Sequence, residues 1–331
     1  MPYVHYIDNF TAEHREIANM VNANQQGNTG EASTAVNENR SAEYNIEGNL
    51  RKPEKRRTMT VLAIIAAVLA VAIVTVAGYG YWERQHGEER AYQRLQKLSQ
   101  KPVGMNDQGG LPAFKASNYN PEAPSVDIYV DYFCPDCADL DHVIYPTLKK
   151  LADARQINVY LHPVNFLDAK TKNHYSTRSA TVAAYISSHE PDTLLDFTKA
   201  MFADDFMPSS KNGKDITDKQ LSDLAIQVGV SKSTAEAATN GTYSDYVTRA
   251  TKYTLLHKAL FVDVGNEHRF SSPTIVINGA MWTYRDMEKL ENTDPALIHV
   301  LGLEPQDVGN PKAIPSIGSH SKALPIPMQY L

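Results

Sequence analysis

The chain has 331 residues, 42% of them hydrophobic, with a formal net charge of −6 and two cysteines. That length allows about two domains, and an acidic balance without an extended basic stripe argues against nucleic acid as a partner. The two cysteines, Cys134 and Cys137, close too short a loop to staple a fold, so if the pair matters it matters as chemistry.

Residues 1–50 are polar, rich in Asn, Glu, Gln, Ser and Thr, with no sustained helix or strand period. Such a segment buries too little apolar surface to offset ordering and is expected to be disordered, apart from a short amphipathic helix near Thr11–Val21. The basic run Arg51-Lys52-Pro53-Glu54-Lys55-Arg56-Arg57 follows, and then an uncharged stretch over 58–82, mostly Ala, Val, Ile and Leu, closed by Tyr79, Tyr81 and Trp82. A helix of about 25 residues crosses a ~30 Å hydrocarbon core, and terminal aromatics suit the membrane interface. A buried core helix is the alternative, but length, lack of charge, basic flank and aromatic end all favour a span. The positive-inside rule then places 1–57 as a cytoplasmic tail and everything after Trp82 outside the cytoplasm. A cleaved signal peptide fits less well, because the run is long, begins late and lacks an A-x-A site. Residues 83–112 read as stalk and linker: charged and helix-permissive to 100, with Ala91, Leu95 and Leu98 on one side, then Gly, Asn and Pro from Val103 to Pro124 with a short strand near Ala113-Phe114.

Val126-Asp127-Ile128-Tyr129-Val130-Asp131-Tyr132-Phe133 is β-branched and aromatic, a strand. Helical spacing follows from Cys134 to Arg155 (Leu140, Val143, Ile144, Leu148, Leu151), and Ile157–Leu167 returns to strand character. Residues 171–258 read as helical throughout, with Gly229 as a C-cap. Thr274-Ile275-Val276-Ile277 is a strand, Asn278-Gly279 a hairpin turn, and Met281–Tyr284 the return strand. A helix is expected from about Arg285 to Leu301, and the tail over 304–331, with five prolines, is expected to be irregular. Strand, helix, strand, helical insertion, hairpin and helix make an α/β arrangement with an all-α insert.

Two thiols in C-x-x-C at a strand-to-helix junction are placed for redox work. Unpaired N–H groups at the helix start stabilise an anion, which lowers the pKa of the first thiol. Cys134 is therefore the expected nucleophile and Cys137 the resolving thiol, with Pro135 in a helical turn where a missing N–H does no harm. Half a zinc site is the competing reading, but neither a second cysteine pair nor an H-x₃₋₅-H pair accompanies the motif, and no metal is expected. His142 reads as a surface residue, His162 as structural, Asp131 as a strand-end polar group near the site, and Tyr132 and Phe133 as packing around it. Ser272-Pro273, on its residues alone, marks the start of an edge strand.

Asp131-Tyr132-Phe133-Cys134-Pro135-Asp136-Cys137 resembles the D-x-x-C-P-x-C signature of DsbA-like thioredoxin-fold proteins, and Ser272-Pro273-Thr274-Ile275-Val276-Ile277-Asn278-Gly279 resembles their x-P-T-x-x-x-N-G loop and hairpin. The resemblance covers roughly 113–303, with the helical insertion at about 171–258. It implies a thioredoxin-like α/β fold with an inserted all-helical subdomain, here preceded by a single transmembrane helix. It implies a cis bond before Pro273, substrate pairing along the backbone of Ser272, and tuning by Ser272. It also implies protein thiol–disulfide exchange on exported cysteine-containing proteins, needing no cofactor beyond the Cys134–Cys137 disulfide, with a membrane redox partner to recycle it. Two departures stand out. Many members carry a buried acid six positions before the first cysteine, where this chain has Ile128. The middle pair is Pro135-Asp136 rather than Pro-His, and a carboxylate beside Cys134 disfavours its thiolate, which makes a less oxidising couple. The leading reading is a disulfide-forming oxidase in a bacterial cell envelope. Reduction or isomerisation through the same site, and a non-catalytic binding module, are the alternatives.

Overall fold

A computed structural model describes residues 53–208 and 213–331. The expected disordered tail, its short helix and the start of the basic run lie outside the described residues. The chain divides into two compact units, Met1–Ala67 and Val68–Leu331. The described part of the first belongs to helix α1 (Pro53–Gln96). Within α1, Met59–Trp82 is long and apolar enough to cross a membrane, and none of it is buried. In water such a helix would expose apolar side chains all round, an arrangement suited to a lipid surround.

The stalk expectation needs correction. The last turns of α1 do not stand free: Ala91 and Leu95 are buried, and Tyr92 packs on Tyr253 with ring centroids 5.4 Å apart. His257 Nδ1 donates to Glu88 Oε1 at 2.7 Å, and Arg249 Nη1 donates to the Arg94 carbonyl at 3.0 Å. The linker is likewise folded in. Its strand is β1 (Leu111–Pro112), slightly earlier than expected, and it pairs antiparallel with β3 (Asn158–Pro163).

The sheet has five strands in the order β1-β3-β2-β6-β7, where β2 is Ser125–Val130, β6 Thr274–Ile277 and β7 Ala280–Trp282. β2 lies parallel to β3 and antiparallel to β6. Val126 to Val130 are all buried, the pattern of a strand covered on both faces. The one carboxylate in that run, Asp127, accepts from His162 Nε2 at 2.8 Å and from Asn106 Nδ2 at 2.9 Å, so His162 is structural. β6 is interior to the sheet, not the edge strand that a leading proline suggested. Pro273 sits one residue ahead of it, so no ladder hydrogen bond is lost. Asn278 and Gly279 have φ of +48° and +77°, the paired positive values of a type I′ hairpin turn.

Helix α2 (Pro135–Asp153) follows β2 and buries Cys137, Leu140, Ile144, Leu148 and Leu151. The insertion supplies α3 (Tyr175–His189), α4 (Leu194–Met201), α5 (Asp218–Gln227), α6 (Lys232–Ala238) and α7 (Ser244–Thr254). Gly229, with φ +100°, stands just past the end of α5. Between α7 and β6 lies an unanticipated hairpin, β4 (Phe261–Val264) with β5 (Glu267–Phe270). The closing helix α8 is only Thr293–Val300, preceded by two 3-10 turns. It is shorter than expected because Pro295, whose ring clashes with the carbonyl four residues back, is tolerated only in a first turn. The tail is irregular but fixed: Gln156 Nε2 donates to the Asp307 and Ala313 carbonyls, each at 2.9 Å, and Asn278 Nδ2 donates to that of Gly318 at 2.8 Å. A parallel β2-α2-β3 half and an antiparallel β6-β7-α8 half, with helices inserted between them, form an α/β fold of thioredoxin-like topology with an all-α insertion.

Candidate active site

Cys134 is the N-cap of α2, with extended backbone (φ −87°, ψ 114°) and Pro135 at the first helical position. Its N–H donates to the Asp131 carbonyl at 2.9 Å, and its own carbonyl accepts from Cys137 N at 3.1 Å and Ala138 N at 3.3 Å. Both thiols are free. Cys134 keeps 6% of its surface and Cys137 only 1%, so an incoming group meets Cys134 first. Pro135 and Asp136 are exposed beside it.

The Ser272–Pro273 bond is cis, and it lies against the sulfurs. Cys134 Sγ donates to the Ser272 carbonyl at 3.8 Å. Ser272 Oγ, buried and otherwise without a partner among the described residues, favours the thiolate of either cysteine. The far side of the loop is held from the hairpin: Tyr284 OH donates to the Pro273 carbonyl at 2.9 Å, and Arg285 Nη2 donates to the same oxygen. Tyr284 and Arg285 escaped the sequence reading. They follow the return strand immediately, a position from which a side chain can fold back over the loop that opens the hairpin.

The two thiols differ in acidity. The Cys134 thiol is held below its ordinary value, first by a hydrogen bond from Cys137 and then by Ser272 and the Cys137 backbone, against burial and the Asp136 carboxylate. Burial pushes the Cys137 thiol well up, and the neighbouring Cys134 pushes it further. The Cys134 thiol thus favours its anion and the buried Cys137 thiol its protonated form.

Asp131 is more than a strand-end polar group. Its carboxylate is fully buried. It accepts from Phe133 N at 3.0 Å, Ser176 Oγ at 2.6 Å and Leu167 N at 3.0 Å. Burial raises its pKa to about 6, with those three hydrogen bonds pulling the other way. The loop carrying Cys134 is thus pinned to α3 and to the segment that follows β3. Tyr132 is buried and its hydroxyl lies 3.1 Å from Thr198 Oγ1, while Phe133 packs edge-on against Tyr175. His142 is exposed and its Nε2 hydrogen-bonds the Phe202 carbonyl at 3.0 Å, joining α2 to the end of α4. Position 128 is a buried isoleucine. Among the described residues, no group of three or more His, Cys, Asp or Glu is placed to hold a metal ion.

No protein-family model matches the chain. A serine/threonine-protein kinase of Mycobacterium tuberculosis, PknE, is 28% identical over 132 residues, which is 39% of this chain and 23% of the kinase. The chain thus spans under a quarter of the length of the curated relatives it matches. Among solved structures, reduced DsbA from Mycobacterium tuberculosis aligns with a TM-score of 0.47 at 20% identity, covering 60% of this chain and 97% of that one. MdbA, a thiol-disulfide oxidoreductase from Actinomyces oris, aligns with a TM-score of 0.46 at 19% identity, covering 62% and 94%. MdbA from Corynebacterium diphtheriae aligns with a TM-score of 0.41 at 26% identity, covering 51% and 82%.

Proposed function

We propose that this chain is a membrane-anchored protein thiol–disulfide oxidoreductase that forms disulfides in exported proteins through Cys134 and Cys137. The observation that carries the reading is the asymmetry of the pair. One thiol keeps 6% of its surface and favours its anion. The other is sealed beneath it, and a cis-proline loop faces both.

In the oxidising direction, a substrate thiolate attacks Cys134 Sγ of the Cys134–Cys137 disulfide. The S–S bond breaks, and Cys137 leaves as a thiolate and takes a proton. A second substrate thiolate then attacks its own sulfur in the mixed disulfide, and Cys134 leaves as the stabilised thiolate. The substrate is oxidised by two electrons and the pair is reduced to the dithiol. An extended substrate segment lies along the backbone at Ser272, in the manner of strand addition. A membrane redox partner then returns the pair to the disulfide. Asp136 favours a second reading, reduction or isomerisation by the same steps reversed, because its charge beside Cys134 weakens the thiolate that makes such a couple oxidising.

Refolding of a reduced cysteine-containing substrate by the full chain, beside insulin reduction, tests the reading. Wild type is expected to act and Cys134→Ser to be inert. Equal behaviour of the two would make the domain a binding module that uses the groove at Pro273 without chemistry. The apolar stretch Met59–Trp82, with the basic run before it, supports an extracytoplasmic catalytic domain. Protease added outside intact spheroplasts should remove a C-terminal epitope, and an epitope that survives would place the domain on the cytoplasmic side.

A further inference from the structure

Arg285 does more than the loop beside it needs. Its Nη2 donates to two carbonyls of the cis-proline loop, that of Ser271 at 3.3 Å and that of Pro273. Each of those oxygens already has another donor. Thr274 Oγ1 donates to the Ser271 carbonyl at 2.6 Å, and Tyr284 OH donates to the Pro273 carbonyl at 2.9 Å. One partner is enough to spare a buried carbonyl the cost of being left unsatisfied. Holding the loop therefore does not by itself call for a guanidinium.

What the guanidinium adds is a fixed charge. Its hydrogen bonds to the loop, and the Tyr284 ring with its centre 5.2 Å from Cζ, settle a long side chain in one position, so its ordering cost falls on folding rather than on binding. Arg285 is nevertheless exposed. Among the described residues its Nε and Nη1 have no hydrogen-bond partner and its charge no carboxylate partner, although Asp286 is the next residue. The carbonyls it holds flank that of Ser272, which accepts from Cys134 Sγ, and one residue of extended chain spans only about 3.3 Å. Burial is the main cause that raises the Tyr284 hydroxyl. Arg285 then lowers it, while Cys137, Cys134 and Asp136 raise it further, so all four lie within electrostatic reach of one oxygen.

We infer that Arg285 selects among substrates: it binds the carboxylate of an Asp or Glu beside the substrate's reactive cysteine and disfavours Lys or Arg there. The inference rests on the exchange chemistry proposed above and names the class of thiol that the site takes. An extended segment laid along the Ser272 backbone, with its cysteine at Cys134 Sγ, carries the neighbours of that cysteine past the guanidinium. With Nη2 engaged on the loop, Nη1 is left to make a charge-assisted hydrogen bond to a carboxylate. A cation in the same place meets a like charge, which suppresses the wrong partner. Asp136, exposed at the start of α2, pulls the other way, so the two charges give the groove a polarity that orients the segment as well as selecting it.

The test uses the oxidised full chain in detergent and short peptides with a single cysteine. Glu, Gln or Lys stands immediately before the cysteine in one series and immediately after it in a second. Thiol loss gives kcat/KM for each peptide with wild type and with Arg285→Gln. Comparing residue and variant together cancels both the intrinsic reactivity of each peptide thiol and the pull of Asp136. In at least one series wild type should prefer Glu over Lys by roughly 3- to 10-fold more than Arg285→Gln does, and the excess should shrink as salt is added. Arg285→Lys should keep part of it. An excess below about twofold in both series overturns the inference, as does an Arg285→Gln variant that slows every peptide alike, the mark of a loop clamp. If the variant fails to fold, the wild-type ratio of Glu to Lys peptide decides, taken relative to the same peptides reacting with oxidised glutathione: a ratio near one, or one indifferent to salt, overturns the inference. Wild type inert toward every peptide would instead defeat the exchange chemistry itself.

Discussion

On the strand side of the cysteine pair, the buried Asp131 carboxylate accepts three hydrogen bonds and ties the Cys134 loop to two neighbouring elements. On the helix side, one turn past Cys137, Asp141 turns an oxygen into the interior that accepts none among the described residues. Burial raises both acids, to about 6 and about 7. The difference between them lies in what surrounds them. A carboxylate whose oxygens are saturated with donors is architecture, because each donor must be broken before the group can change state. A carboxylate with an idle buried oxygen carries the cost of burial without that compensation. A milder contrast separates the sulfurs, Cys134 just reaching the surface and Cys137 sealed beneath it.

The widest gap expected is between the two thiols. Cys134→Ser should abolish exchange altogether. Cys137→Ser should keep the first attack and accumulate mixed disulfides with substrate, seen as a reducible mass shift on non-reducing gels. Mixed disulfides formed equally by both variants would erase the asymmetry. Next comes the same substitution made in both acids. Asp131→Asn places an N–H₂ among donors that need an acceptor and should lower unfolding free energy by about 2–3 kcal/mol in urea melts. Asp141→Asn should leave it unchanged or raised, and equal losses at both sites would sink the distinction drawn between them.

A smaller effect is expected from Asp136→His, which removes the carboxylate that opposes the Cys134 thiolate. It should raise the reduction potential measured against glutathione by roughly 30 mV, the equivalent of about 1.4 kcal/mol; an unchanged or lower potential would count against Asp136 as a tuning residue. The smallest effect is a pH dependence. The fold raises the Asp141 carboxyl from 3.8 to about 7. The stability it contributes is therefore complete below its ordinary pKa and lost as pH rises through about 7. Asp141→Asn should match wild type in acid and exceed it by about 1 kcal/mol at mildly alkaline pH. Thermal unfolding across that range should show the two curves separating upward with pH.

Much of the site could be read from the residues, because its parts are local. Two cysteines one turn apart, a proline at the first helical position and an Asn-Gly turn each act through their immediate neighbours. The β2 strand was legible for the same reason. The β4–β5 hairpin was not, because Asp263, Glu267, His268 and Arg269 interrupt any apolar alternation. Its pairing is decided by contacts made at Phe261 and Phe270, which face each other across the ladder. Asp131 looked like a strand-end residue because two of its three donors, Leu167 and Ser176, come from distant sequence. Asp141 did leave a trace that went unread: a carboxylate set on an otherwise apolar helical stripe one turn after a cysteine.

The continuity of α1 has a mechanical meaning. The helix runs unbroken from Trp82 to Glu88, where His257 already ties it to the folded part, a length of roughly 9 Å at 1.5 Å per residue. A rigid post of that kind has no swivel. The helix that carries the apolar stretch is the one whose last turns are built into the fold, so no flexible tether separates the two among the described residues.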